Sequence, residues 1–315
     1  MGEENSTDKE IINILILGSG PAGLSAAIYA ARADLEPLVL TGLELGGQAS
    51  LTNTIENYPG FPDGVGGNEL GDLLRKQAER FGAKVEFDLA TKLELNKNPF
   101  RITTDNKEIL AKSLIIATGA TPNHLNVSGE KELTGKGVSY CATCDGWFFK
   151  DRSVVVIGGG DSALEEALFL TRFAKSVYII HRRDSFRASA ILQKRVNDNP
   201  KIKLILNSVV QKINGTDKVE SVSIKDLVSN EDSDFLIDGV FIFVGHSPNT
   251  DLFKGQLEMD DHGYIKTDLY MNTSVEGVFV AGEAADPNFK QVVTSAGMGA
   301  AAAIQATRYL EKIKG

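Results

Sequence analysis

Two segments of the chain repeat the same order of apolar, glycine-rich and helical positions. The first begins at residues 11–17, which are almost all isoleucine or leucine and predict a buried strand. A glycine-rich turn at 18–23 and an alanine-rich stretch to about residue 32 follow, and residues 37–40 are apolar again. This order predicts a βαβ unit with its glycines at the strand-to-helix turn.

The second segment begins about 140 residues later, with an apolar strand at 153–157. A glycine turn at 158–163, a helix to about residue 173 and a strand at 176–180 complete a second βαβ unit. The other predicted elements are an amphipathic helix at 68–81, short antiparallel strands within 92–110, buried strands at 113–117, 239–244 and 277–281, and a small-residue helix from about 291 to 312. Two βαβ units predict an α/β fold with two nucleotide-binding domains.

Composition narrows the classes of function. The chain has 315 residues, enough for two domains of about 150 residues. Its formal net charge of −9 argues against binding to nucleic acid, which requires a basic face. No apolar stretch reaches about 18 residues, so we expect no membrane span. The acidic N-terminus is unlike a secretion signal, so we expect a cytoplasmic protein, although residues 1–6 fit the short myristoylation template.

The first glycine turn has the form Gly18-x-Gly20-x-x-Gly23. In such a turn the first glycine permits a tight bend, the second lets the backbone approach a pyrophosphate, and the third lets helix and strand pack closely. The helix N-terminus adds free N–H groups and the positive end of the helix dipole. The turn therefore predicts dinucleotide binding. The acidic residue expected on the ribose is missing at the end of the second strand, where Glu44 is the candidate substitute.

The second glycine turn, Gly158-x-Gly160-x-x-Ala163, has the sequence HRRDSFR (181–187) after its following strand. Arg182 and Arg183 replace the ribose-binding acid, and a guanidinium can bind a phosphate through two hydrogen bonds. These arginines predict a nucleotide with a 2′-phosphate, and hence NADPH rather than NADH. The alternative is a solvated basic patch at the end of a strand.

The two cysteines, Cys141 and Cys144, lie three residues apart. A structural zinc site would need two more ligands, and the four histidines show no paired spacing. Beside βαβ units, the CxxC spacing indicates a redox dithiol that exchanges with another disulfide, with two inert buried thiols as the alternative. Asp145 is a candidate general acid or base if burial raises its pKa, or else a cap of the turn at Gly146.

Together these motifs resemble the low-molecular-weight thioredoxin reductases, flavoproteins with two dinucleotide-binding domains. The resemblance runs from Ile14 to about Leu310. It rests on the two glycine turns, GGQ at 46–48, ATG at 117–119, CATCDG at 141–146, HRRDSFR at 181–187, GHSPNT at 245–250 and AG at 281–282. It implies two Rossmann-like domains of the three-layer ββα sandwich type, the second inserted into the first. The FAD-binding domain would comprise residues 1–119 and 248–315, and the NADPH-binding domain residues 120–247.

The resemblance also assigns cofactor-binding residues. FAD is expected on Gly18, Ser19, Gly20, Pro21, Ala22, Gly23, Thr41, Gly42, Gly46, Gly47, Gln48, Asn57, Ala117, Thr118, Gly119, Gly282, Glu283, Gln291 and Val292. NADPH is expected on Gly158, Gly160, Asp161, Ser162, Ala163, His181, Arg182, Arg183 and Arg187. Gly245 and His246, where the chain would cross back to the first domain, complete the cofactor-binding set.

The route of electrons is likewise implied by the resemblance. They would pass from NADPH to FAD, then to the Cys141–Cys144 disulfide and on to thioredoxin. Cys144 would face the flavin, Cys141 would attack the thioredoxin disulfide, and Asp145 would assist proton transfer. The family also implies a homodimer formed through the FAD domain.

Two positions depart from the pattern of the family. Glu283 stands where aspartate is usual and Lys290 where arginine is usual, which bears on the placement of FAD and on a salt bridge nearby. Two other functions remain open: a related flavoprotein that reduces another small thiol protein, and a non-catalytic sensor of NADPH and redox state. A peroxiredoxin-reducing type would carry an additional N-terminal module with its own CxxC, and only about ten residues precede the first strand. A ferredoxin-type NADP reductase would lack the cysteine pair.

Overall fold

The structure is a computed structural model that describes residues 11–42, 44–52 and 54–314, so the myristoylation template at 1–6 lies outside the described residues. The helices are α1 (Pro21–Arg32), α2 (Gly67–Arg80), α3 (Ala142–Asp145), α4 (Asp161–Leu170), α5 (Ala190–Asn197) and α6 (Val292–Lys314). The strands are β1 (Ile11–Leu17), β2 (Leu38–Leu40), β3 (Lys84–Glu86), β4 (Ala90–Glu94), β5 (Phe100–Thr104), β6 (Glu108–Ile116), β7 (Ala120–Pro122), β8 (Val138–Ser139), β9 (Ser153–Gly158), β10 (Ser176–Ile180), β11 (Ile202–Ile205), β12 (Ser208–Asn214), β13 (Ser221–Asp226), β14 (Asp232–Leu236), β15 (Gly239–Phe243), β16 (His246–Pro248) and β17 (Val278–Val280).

The chain divides into two compact units. Unit 1 comprises Met1–Thr121 and Ser247–Gly315, and unit 2 comprises Pro122–His246. Strands β7 and β16, where the chain passes between the units, form a two-stranded sheet. Each unit contains one of the two βαβ segments, with its glycine turn between the first strand and the helix.

Unit 1 is built on a sheet in which one edge of β6 pairs with two different strands. Strands β3, β2, β1 and β6 are parallel neighbours, and β6 pairs with β1 along most of its length. On its other edge, β6 pairs antiparallel with β5 at residues 108–111 and parallel with β17 at residues 114–116. The prediction of a separate strand at 113–117 was therefore wrong in its boundary, because one edge serves two partners without interrupting the strand.

The alanine-rich pattern of α1 is explained by its packing against α6. The face of α1 toward the core is lined by Ala22, Ala26, Ala27 and Ala30, all nearly inaccessible to solvent. A Cβ atom on Gly299 of α6 would lie 2.0 Å from the backbone oxygen of Ala22, so the two helix backbones are in direct contact. Small residues on both helices therefore bring the start of α1 close to the N-terminal half of α6.

Unit 2 contains a parallel sheet of order β11-β10-β9-β15-β8 and a separate antiparallel sheet, β12-β13-β14. The parallel strands β9, β10 and β15 have nearly continuous apolar sequences and are buried, as predicted. The antiparallel sheet was not predicted from the sequence. Its strands carry many polar residues, and β14 is mostly exposed, so the alternation of apolar and polar positions is weak.

Within the described ranges, the structure contains no helix of sufficient length and apolarity to cross a membrane.

Candidate active site and nucleotide-binding turns

Cys141 and Cys144 form a disulfide in unit 2, with their Cα atoms 5.3 Å apart. Cys141 lies between β8 and α3, and Cys144 lies within α3. Both residues are partly exposed, and the Thr143 hydroxyl lies 3.3 Å from the Cys141 sulfur. The disulfide excludes the alternative of two inert buried thiols, and its partial exposure gives a second disulfide access to it.

Ser139 organises the segment around the disulfide. Its hydroxyl donates to Asp145 Oδ2 at 2.6 Å and accepts the Cys141 N–H at 3.0 Å. Burial raises the pKa of Asp145, and the hydrogen bond from Ser139 partly opposes this rise. The carboxyl makes no capping hydrogen bond to the helical turn at Gly146, so the alternative role of Asp145 as a cap was wrong. The carboxyl is instead held beside the disulfide segment in an environment that favours its protonated form.

In the parts of the chain that the structure describes, no group of three or more His, Cys, Asp or Glu side chains is arranged to hold a metal ion.

The first glycine turn, between β1 and α1, uses its three glycines in different ways. Gly18 has a φ of +106°, and a Cβ atom there would lie 2.3 Å from the backbone oxygen of Ala117. A Cβ atom on Gly23 would lie 1.9 Å from the backbone oxygen of Gly18. The nearest atoms to a Cβ on Gly20 are 4.0 Å away. The fold thus requires the first and third glycines, whereas the second leaves open space in which a ligand could approach the backbone.

This difference predicts different results for two alanine substitutions. We expect Gly23→Ala to lower the free energy of unfolding by about 1–3 kcal/mol, because the added methyl group overlaps a backbone oxygen. We expect Gly20→Ala to unfold as the wild type does, because Gly20 has a φ of −70° that alanine adopts readily. This variant should nevertheless retain less FAD, because the methyl group occupies the space in which the pyrophosphate approaches the backbone. Chemical denaturation and the flavin content of the purified proteins test both outcomes. Equal stability losses in the two variants would contradict this assignment.

The surroundings of the first turn fit a polar ligand. The Ser19 hydroxyl lies 3.2 Å from the backbone oxygens of both Thr41 and Glu44, which fixes the segment after β2 against the turn. The Glu44 side chain is exposed. The buried Thr118 hydroxyl, at the end of β6, has no hydrogen-bond partner among the described residues. Because buried polar groups are normally hydrogen-bonded, this hydroxyl is consistent with a ligand at the turn.

The other predicted FAD residues come from distant parts of the sequence but belong to the same unit. The Asn57 amide donates to Gln291 Oε1 at 3.2 Å, across 234 residues of sequence. A Cβ atom on Gly282 would lie 3.0 Å from the Ala22 Cβ, so the C-terminal segment touches the start of α1. The segment of residues 46–48 lies beside the first turn, because the Gly46 N–H donates to the backbone oxygen of Ser19 at 3.1 Å.

In the C-terminal segment, the carboxyl of Glu283 has a strongly raised pKa. Its pKa is raised to about 7, mainly by burial; the Lys290 ammonium lowers it and the Asp286 carboxylate raises it. The two positions that depart from the family pattern, Glu283 and Lys290, therefore interact with each other. Asp286 is itself buried and accepts the backbone N–H groups of Asn288 and Phe289, which fixes this loop beside Glu283.

The raised pKa of Glu283 predicts a pH-dependent stability of the FAD-free protein. Between its ordinary pKa of 4.5 and about 7, the folded state holds more protons than the unfolded state, so this group lowers stability as the pH rises. The loss at pH 8 is on the order of 3 kcal/mol. We expect Glu283→Gln to unfold at a higher temperature than the wild type at pH 8, with the difference shrinking toward pH 5. Calorimetry at several pH values measures the unfolding temperatures of both proteins, with Glu276→Gln at an exposed position as the control. A difference in unfolding temperature that does not change with pH would contradict the prediction.

The second glycine turn, between β9 and α4, resembles the first: one glycine is required by close packing and another faces open space. A Cβ atom on Gly158 would lie 2.5 Å from the backbone oxygen of Phe243 and 2.6 Å from the Ala163 Cβ. A Cβ atom on Gly160 would meet nothing within 4 Å. The Asp161 carboxylate accepts the Ser189 N–H at 2.8 Å, and Ser162 is exposed at the start of α4. Open space is thus again left at the glycine where a pyrophosphate would approach.

Arg182, Arg183 and Arg187 follow β10 and are exposed. No carboxylate of the described residues forms an ion pair with any of their guanidinium groups. The side chain of His181 is buried, and its Nε2 lacks a partner in the described part of the chain. Three uncompensated guanidinium groups beside a glycine turn fit a phosphorylated ribose.

Not every predicted residue belongs to one site. The predicted FAD residues lie in unit 1, whereas the disulfide, the second glycine turn and the arginines lie in unit 2. Gly245, with a φ of +110°, accepts the Asn123 N–H at 2.9 Å, and His246 begins β16. Ser139 was not predicted from the sequence. Only its hydrogen bonds to Asp145 and Cys141 distinguish it.

Comparisons with known proteins agree with this geometry. Residues 12–299 match the pyridine nucleotide-disulphide oxidoreductase family. The chain is 47% identical to thioredoxin reductase of Mycolicibacterium smegmatis, over 97% of this chain and 98% of that one. It is 49% identical to thioredoxin reductase of Rickettsia felis, over 95% and 98%. Solved thioredoxin reductases from Giardia duodenalis and Streptococcus pyogenes superpose with TM-scores of 0.91 and 0.92, each at 42% identity over 96% of this chain and at least 99% of theirs.

The chain belongs to the pyridine nucleotide-disulphide oxidoreductase family. Within that class, the proteins of nearly equal length that it resembles over almost their whole sequence are thioredoxin reductases. The predicted fold, two Rossmann-like α/β domains, is confirmed by the solved structures of similar sequence.

Proposed function

We propose that this enzyme reduces the disulfide of thioredoxin with electrons from NADPH, by way of FAD and the Cys141–Cys144 disulfide. The observation that carries the proposal is this disulfide: it is partly exposed and lies in a chain that matches thioredoxin reductases over nearly its full length. The enzyme is thus an NADPH-dependent oxidoreductase with FAD as its resident cofactor.

The residues of the two glycine turns suit these two nucleotides. We assign FAD to the open face of Gly20, with Ser19, Thr118 and the Asn57–Gln291 pair around it, in the domain formed by residues 1–119 and 248–315. We assign NADPH to Gly160 and the three arginines, in the domain formed by residues 120–247. When bound, FAD supplies a two-electron relay between NADPH and the disulfide.

The reduced cysteine pair exchanges with thioredoxin in two steps. The Cys141 thiolate attacks the thioredoxin disulfide, which forms a mixed disulfide and releases one thioredoxin thiol. The Cys144 thiolate then attacks Cys141, which reforms the disulfide of the enzyme and releases the second thiol. Two electrons pass to thioredoxin, and two protons are taken up by its sulfurs. The Asp145 carboxyl, protonated more readily than usual because of its burial, can hold a proton beside this exchange.

Asp145→Asn should slow the steps that move a proton at the dithiol by about 10²-fold, the lower range for loss of a general acid or base. Ser139→Ala should instead retain most activity and shift the pH profile. Since the hydrogen bond from Ser139 lowers the pKa of Asp145, its loss raises that pKa, and the limb of the profile that reports Asp145 moves to higher pH. Rates measured across pH for the three proteins test this. An unchanged rate in Asp145→Asn would remove Asp145 from the mechanism.

A turnover assay tests the function itself. Purified enzyme loaded with FAD is mixed with NADPH, a thioredoxin and a disulfide dye. We expect oxidation of NADPH and reduction of the dye that depend on thioredoxin and are lost in Cys141→Ser. A protein that binds flavin but gives no NADPH-dependent turnover with several thioredoxins would support the alternative of a redox sensor.

We also propose that the enzyme acts in the cytoplasm as a homodimer formed through the FAD domain. This proposal is supported by the resemblance to the family. A monomer whose mass does not change with concentration in analytical ultracentrifugation would contradict it.

A further inference from the structure

The ring of His181 occupies the space beside Gly159, the middle glycine of the second turn. A Cβ atom on Gly159 would lie 2.3 Å from Cε1 and 2.4 Å from Nδ1 of that ring. The His181 side chain is only 8% exposed, and the Phe186 ring lies 5.4 Å from it between centroids. The ring is therefore enclosed, and it could not keep this position beside any residue larger than glycine.

The same ring is attached to the loop that carries the arginines, residues 182–188, which we call the arginine loop. The backbone of Ser185, in the middle of that loop, lies close enough to the ring to raise its pKa. Burial lowers the pKa of His181, and the nearby charges of Arg183, Arg182 and Arg187 lower it further, so the ring is neutral at pH 7. A neutral ring enclosed between Gly159 of the turn and Phe186 of the loop acts as a fixed spacer between the two.

Two hydrogen bonds from backbone N–H groups complete the attachment of the arginine loop. The Arg187 N–H donates to the backbone oxygen of Gly159 at 2.9 Å. Just after the loop, the Ser189 N–H donates to the Asp161 carboxylate, at the first residue of α4. The arginine loop is thus joined to the glycine turn through Gly159, through Asp161 and through the His181 ring.

We propose that Gly159 and His181 are a matched pair of positioning residues that determine the preference for NADPH over NADH. The pyrophosphate and the 2′-phosphate of one nucleotide are separated by a fixed covalent distance. Their two binding sites must therefore be held at a fixed separation, and a loose loop would lose affinity to the entropy of ordering it. Neither residue needs to touch the phosphate. This inference rests on the proposed function, because it assumes that the second turn binds NADPH.

The test measures binding of NADP⁺ and NAD⁺ to the FAD-loaded enzyme by isothermal titration calorimetry, which needs no turnover. Gly159 has no left-handed backbone conformation, so the methyl group of Gly159→Ala mainly displaces the His181 ring. We expect Gly159→Ala to raise the dissociation constant of NADP⁺ about tenfold, which corresponds to part of the energy of two charge-assisted hydrogen bonds. The dissociation constant of NAD⁺ should change by less than about twofold. His181→Ala should show the same selective loss.

The double variant and a neighbouring glycine sharpen the test. Once the ring is gone, the methyl group at position 159 has nothing to displace, so Gly159→Ala with His181→Ala should bind NADP⁺ as His181→Ala does. Gly160→Ala, whose methyl group occupies the space for the pyrophosphate, should weaken the binding of NADP⁺ and of NAD⁺ to the same extent.

Retention of the wild-type ratio of NAD⁺ to NADP⁺ dissociation constants in Gly159→Ala and His181→Ala would overturn the proposal, and additive effects in the double variant would overturn the pairing. If Gly159→Ala does not fold, His181→Ala alone carries the same prediction. A wild-type enzyme that does not prefer NADP⁺ would contradict the proposed function instead.

Discussion

Replacing Cys144 with serine is expected to abolish the NADPH-driven reduction of thioredoxin, with a loss on the order of 10³-fold or more. A serine hydroxyl cannot form a disulfide with Cys141, so the protein would have no sulfur–sulfur bond to accept two electrons and pass them on. Steady-state oxidation of NADPH in the presence of thioredoxin measures the loss, and titration of free thiols confirms that the remaining Cys141 is unpaired.

The control for this variant is its cofactor content. Cys144 belongs to unit 2 and the first glycine turn to unit 1, and we expect Cys144→Ser to contain as much FAD as the wild type and to bind NADP⁺ equally well. Thioredoxin reduction at the wild-type rate by such a protein would show that the disulfide at 141 and 144 is not on the route of the electrons.

Replacing Arg182 and Arg183 together with alanine is expected to lower kcat/KM for NADPH by about 10²-fold or more. Each charge-assisted hydrogen bond to a phosphate contributes about 1.5–3 kcal/mol, and both guanidinium groups are exposed and free of ion pairs with the described residues. The KM for NADPH should rise, whereas kcat/KM for NADH, which has no 2′-phosphate, should change little. Steady-state kinetics with the two nucleotides measures the change in preference.

Arg172 offers a matched control. It is an exposed arginine of the same unit whose guanidinium lies 5.1 Å from the Phe169 ring, outside the arginine loop. Arg172→Gln should leave both nucleotides unaffected. If the double variant lost NADPH and NADH activity to the same extent, the arginines would be a general basic patch rather than a site for the 2′-phosphate.

The sequence predicts those parts of the fold and the site that a short stretch of residues specifies by itself. The βαβ units were predicted because a parallel strand that is buried on both faces is continuously apolar, and because a glycine turn directly after such a strand marks the start of the next helix. The cysteine spacing likewise indicated a dithiol before the disulfide was seen.

The features that were missed depend on contacts between distant segments. Strand β6 has two partners on one edge, and no pattern within residues 108–116 reports that its neighbours change along its length. The strands β12 to β14 carry too many polar residues to show a period of two.

Side-chain environments were equally beyond prediction from the sequence. Asp145 was a candidate acid or base with an open alternative, and the sequence did not show that its carboxyl is buried and hydrogen-bonded to Ser139. The requirement for glycine at position 159 comes from a histidine 22 residues later in the chain. Such constraints arise from packing in three dimensions, and a single sequence does not display them.

The most direct test of the proposed electron route is the visible absorption spectrum of the purified protein, recorded without oxygen before and after addition of NADPH, for the wild type and Cys144→Ser. We predict a yellow flavin spectrum in both proteins that NADPH bleaches, and reoxidation by thioredoxin in the wild type alone. A protein that stays colourless after reconstitution with FAD, a yellow colour that NADPH does not bleach, or equal reoxidation of both proteins by thioredoxin would contradict it.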